Sequence, residues 1–94
     1  MEFRETAAYK IFLSQLFELK PKIESISELN RKNEEVRLFL HALKGNAGLF
    51  GFSELGLLAQ QLCSMAERHS EEEFQVTKLA LLSSISQILE TEEV

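Results

Sequence analysis

A chain of 94 residues, 45% of them hydrophobic, has little room for a core, so it is read as one domain spanning residues 1–94 that packs regular elements densely. Fifteen acidic against ten basic residues leave a net charge of −5, which argues against a broad positive surface for nucleic acid. A single cysteine excludes an internal disulfide and, with no second Cys or His at ligand spacing, a zinc site. No apolar run approaches the ~20 residues of a membrane span, and the opening MEFRETAAYK lacks the apolar core of a secretory signal. The expectation is a soluble, cytoplasmic protein with no membrane insertion.

Helical periodicity runs nearly the whole chain, with no alternating strand pattern. Phe12, Leu16, Leu19, Ile23 and Ile26 step by four and three across Pro21. They predict a long first helix, kinked or broken near the proline, which cannot donate to the carbonyl of Phe17. The run NRKN supplies turn chemistry, and Asn33 suits the N-cap of a second helix over about residues 34–50, with Glu34 and Glu35 in its first turn. Val36, Leu40, Leu43, Ala47 and Phe50 share its inner face, and Gly51 ends it.

Ser53 is placed to cap a third helix carrying Leu55, Leu58, Leu62, Met65 and Ala66. SEEE at residues 70–73 reads as a capping box before a last helix with Phe74, Leu81, Ile85 and Ile88 inside. Short connections between such helices favour antiparallel neighbours. The expected fold is all-α, an up-down antiparallel four-helix bundle.

The stretch HALKGNAGLFGF, residues 41–52, puts three glycines into and just after the second helix. On a helical wheel with Val36 at zero, His41 falls at ~140°, with Arg37, Lys44, Gly45 and Gly48 between ~80° and ~180°. Leu38, Ala42 and Leu49 border this outward patch at roughly 200° to 240°. An exposed helical histidine, or a lysine one turn from it, is by itself ordinary surface. The glycines are not, since each lowers helix stability by about 1 kcal/mol relative to alanine. Gly51 is explained by a helix end, whereas Gly45 and Gly48 suggest close approach by another molecule's backbone. His69, near the end of the third helix, suits that position as a cation and is given no role.

His41, Leu43, Lys44 and Gly45, followed by Gly48 and then Phe50, Gly51 and Phe52, resemble the signature of histidine-containing phosphotransfer domains of bacterial phosphorelays. LFGF is similar to the form in the N-terminal phosphotransfer domain of chemotaxis histidine kinases. The specific likeness covers about a dozen residues, and the compatible helix pattern covers nearly all of the chain. The resemblance implies that His41 accepts a phosphoryl group, chemistry open to imidazole because it is substantially neutral and nucleophilic near pH 7. Lys44 would stabilise the phosphoryl oxygens. Arg37, Leu38, Gly45, Gly48 and Leu49 would form the docking surface.

The partners implied are a response-regulator receiver domain, whose aspartate gives or takes the phosphate, and a sensor histidine kinase. Mg²⁺ is expected on the receiver, with no cofactor on this chain, which is expected to be a monomer and a carrier rather than an enzyme. A hairpin turning at Phe52 sets Cys63 level with His41, where many relatives place Gln or Glu. Cys is a weak hydrogen-bond partner, so Gln60, Cys63 and Glu67 all stand as candidates to orient the imidazole. The alternative function is an adaptor that docks on a kinase or receiver without carrying phosphate. A complete histidine kinase is disfavoured, since the chain has no room for an ATP-binding domain and no glycine-rich nucleotide motif.

Overall fold

The computed structural model describes residues 6–27, 30, 33–65 and 70–92. Four helices, α1 (Ala7–Glu24), α2 (Glu34–Leu49), α3 (Ser53–Met65) and α4 (Glu71–Glu92), account for nearly all of them, and no strand occurs among the described residues. None of these helices is long and apolar enough to cross a membrane.

Each helix end has a local cause. Thr6 caps α1, its hydroxyl accepting the Tyr9 N–H at 3.1 Å. The helix runs unbroken through Pro21 and stops within a turn of it, at Glu24. Ile26 is buried just past that end, so the apolar stripe outlasts the helix. Asn30 then holds the turn: its carbonyl accepts the Ser27 N–H at 2.8 Å, and its amide donates to the Ser25 carbonyl at 3.2 Å. Asn33 occupies the α2 N-cap as expected, but its side chain makes no capping bond.

At the other end of α2, Gly51 takes φ 85°, the left-handed region that a side chain disfavours. The Phe52 N–H donates to the Ala47 carbonyl at 2.8 Å, and the Gly51 N–H to that of Gly48 at 3.3 Å. This crossed pair is the Schellman arrangement. Ser53 lies inside α3 rather than before it. The Phe52 carbonyl accepts the first helical bond, from the Gly56 N–H at 3.1 Å. Ser70 and Glu73 start α4 much as their spacing predicts, the Ser70 hydroxyl accepting the Glu73 N–H and donating to its carboxylate, both at 3.2 Å.

The stripes meet in one core. Phe12, Leu16, Ile23, Leu40, Leu43, Leu62, Phe74, Leu81 and Ile85 are all buried. Each contributes about 1.5–3 kcal/mol by leaving water. α2 packs on α3, α3 on α4 and α4 on α1. Tyr9 and Phe12 of α1 pack on Phe50 and Phe52, with ring centroids 5.0 to 6.2 Å apart, Tyr9 edge-on to Phe50 and the other pairs stacked, so the start of α1 lies against the α2–α3 turn. Residues of the same turn share a pocket with Ser84, Gln87 and Ile88 near the end of α4.

Two positioning residues carried no sequence expectation. Lys78 occupies the gap in the α4 stripe between Phe74 and Leu81 and is buried. Its ammonium donates to the Glu24 carbonyl at 3.1 Å and the Ile26 carbonyl at 2.9 Å, satisfying the end of α1 with a cation. Gly56 marks a close approach of α3 to α2: a Cβ there would lie 3.2 Å from the Lys44 carbonyl oxygen and 3.6 Å from Ala47 Cβ. The helix bearing His41 is thereby held tightly against its neighbour.

Candidate functional site

Burial on α2 divides the helix cleanly. Val36, Leu40, Leu43 and Ala47 face the core, while Arg37, Leu38, His41, Ala42, Lys44, Gly45, Gly48 and Leu49 are exposed. The 3.6-residue period that sinks one face thus projects the other into solvent, on a helix anchored from behind at Gly56.

On this outer face His41 and Lys44 stand one turn apart, a spacing that brings helical Cβ atoms within about 5–6 Å. Neither side chain hydrogen-bonds to any described residue, so both are free to meet another molecule. Arg37, the turn before His41, pairs with Glu34 at 3.1 Å in a largely exposed contact. Leu38 is 55% exposed and Leu49 75%, so apolar surface borders the patch, as exposed apolar side chains do on the other helices too.

The glycines separate by cause. A Cβ built on Gly45 or Gly48 meets nothing within 4 Å, and neither residue has a positive φ. Nothing in the chain's own packing or backbone requires glycine at either place. Gly51 and Gly56, by contrast, are favoured by a positive φ at a helix end and by a tight helix contact.

Of the three candidates for orienting the imidazole, Cys63 is a half-buried free thiol and Gln60 is exposed, and neither hydrogen-bonds His41. Glu67 lies outside the described residues, as does His69. Among the described residues no group of three or more His, Cys, Asp or Glu side chains could hold a metal ion. Chemically the face offers an accessible nucleophile, a cation within reach of whatever the nucleophile bonds, and a stretch of helix without side chains. Beside it α1 and α2 face each other across an open groove whose lining is mixed, with Phe12, Leu16 and Phe39 alongside Glu18, Lys22 and Asn46.

No curated protein and no solved structure matches this chain. Among protein families, the one described as Hpt domain matches residues 7–91, from the first residue of α1 to the penultimate residue of α4.

Proposed function

The chain belongs to the Hpt domain family, and we propose that His41 is its phosphoryl carrier. Hpt domains are phosphocarriers of two-component signalling rather than catalytic enzymes, and they interact with kinases and receiver domains. The observation that carries the assignment to His41 is its place on α2: exposed, without a hydrogen-bond partner among the described residues, and beside two glycines that the fold does not need.

In the transfer, the lone pair of a neutral imidazole nitrogen attacks the phosphorus of a receiver's aspartyl phosphate. The P–O bond breaks and the carboxylate leaves with its electrons, while the ring proton stays on the other nitrogen. Lys44 reaches the phosphoryl oxygens from one turn away and offsets their charge. Gly45 and Gly48 leave room for the receiver's loops, and Arg37, Leu38 and Leu49 meet its surface. Mg²⁺ belongs to the receiver. The imidazole is oriented by Gln60, Cys63 or Glu67, or by the receiver itself once docked.

We read the whole as one domain and a cytoplasmic monomer, an up-down antiparallel bundle with α1 bent where Pro21 forgoes its bond to Phe17. Support for that topology comes from one end of the molecule, where the start of α1 meets the α2–α3 turn and the end of α4 lies beside it. The likeness of LFGF to chemotaxis kinases suggests the same family branch. His41→Gln tests the assignment. It should abolish uptake of acid-labile phosphate from an active kinase or a phosphorylated receiver while leaving the helical circular dichroism intact. A wild-type chain that binds these partners yet takes no label is an adaptor instead.

A further inference from the structure

We infer that Arg37 is a second phosphoryl-holding residue, kept in reserve by Glu34 and released when His41 is phosphorylated. This rests on the carrier reading of His41. Glu34, Arg37, His41 and Lys44 lie on one outer stripe of α2, at ~160°, ~100°, ~140° and ~80° on the wheel. A helical side chain covers the turn N-terminal to its own Cα, so a group bonded to the His41 ring extends over the turn that carries Arg37. By the same rule Lys44 leans toward His41 from the other side, while Arg37 leans toward Glu34 and meets the phosphoryl group by swinging back along the helix.

Arg37 now pairs with Glu34 through a single contact of 3.1 Å, with the two side chains 61% and 75% exposed. An exposed pair of this kind is weak and exchanges readily. A phosphoryl group brings a charge of roughly −1.5 to −2 and three acceptor oxygens, against a carboxylate's single charge. The guanidinium fork matches two of those oxygens at once. Phosphorylation therefore draws Arg37 from Glu34 to the phosphohistidine, which is then held by a cation from the turn before and a cation from the turn after. Glu34 acts through Arg37 and sets how readily it is released.

The test uses phosphoramidate as donor, which needs no docking surface. The ring nitrogen bonds the phosphorus, the P–N bond of phosphoramidate breaks, and its nitrogen leaves as ammonia with a proton from the ring or solvent. At a fixed ratio of phosphoramidate to ammonia, phosphorus NMR reads the ratio of phosphorylated to free His41. Arg37→Gln should lower that ratio about two- to fivefold, the range an exposed charge pair carries. Arg37→Lys should recover part of it. Glu34→Gln should raise the ratio in the wild-type background and by a smaller factor when Arg37 is already Gln. An unchanged ratio in Arg37→Gln, or the same Glu34→Gln factor in both backgrounds, overturns the inference while leaving the carrier reading in place. No label on His41 in the wild-type chain overturns the carrier reading itself.

Discussion

At the scale of single residues, four glycines show how one residue type answers to different physics. Gly51 is held by its φ of 85° and Gly56 by the Lys44 carbonyl against it, whereas Gly45 and Gly48 have open space where a side chain would be. Gly48→Ala should therefore raise thermal stability, by up to ~1 kcal/mol. Gly48→Leu should keep the fold but block transfer from a receiver, and phosphoramidate should still label His41 in that variant. Equal receiver transfer to wild type and the Leu variant would remove this patch from the docking surface. Lys44→Ala should slow transfer from a receiver without abolishing it, read as a lower rate constant at unchanged helicity.

The exposure of His41, Lys44 and the two glycines was legible in the sequence because it follows from helical period alone. Whether Gln60 or Cys63 reaches the imidazole was not, because it depends on how α3 is rotated against α2, which no single helix encodes; in the structure neither hydrogen-bonds it. Gly56 was missed for the same reason. A lone glycine in LGLL resembles any other until the helix it touches is known.

Among the elements, α1 and α4 are coupled by a residue that breaks the apolar pattern. Lys78 fills a core position between Phe74 and Leu81, where the carbonyl of Glu24 at the end of α1 and that of Ile26 just beyond it need a donor. Lys78→Met keeps the apolar stem and removes the ammonium. It should lower unfolding stability by about 1–3 kcal/mol, the penalty for buried carbonyls left without partners. Denaturant unfolding checks the magnitude, and hydrogen exchange should show the loss first at the last turn of α1. A lysine at a stripe position was the signal available in the sequence, and its meaning required knowing which helix end lies opposite.

The element boundaries differ from expectation by about a residue where cap chemistry is ambiguous. Ser53 could have stood before α3 or within it, and Asn33 sits at a cap without using its side chain. Gly51→Ala should destabilise the α2 end by roughly 1–2 kcal/mol, since alanine must adopt the left-handed φ that the turn imposes. A melting temperature equal to wild type would show that the turn can re-form another way.

For the whole molecule, four amphipathic stripes suffice to bury the core, and they leave the outer face of α2 free of that task. His41→Gln changes an exposed position, so stability should shift by no more than about 0.5 kcal/mol even though the carrier function is lost. On the proposed function, fold and function are separable because the outer face of α2 contributes little to the core. The central claim is that this face carries phosphate on one histidine. Its most direct measurement is to incubate the wild-type chain with a phosphorylated receiver domain and Mg²⁺, then map the label by mass spectrometry at neutral to alkaline pH. Acid-labile phosphate is expected on His41 with a matching loss from the receiver's aspartate; label on another residue, or a receiver that docks and keeps its phosphate, would rule out His41 as the carrier.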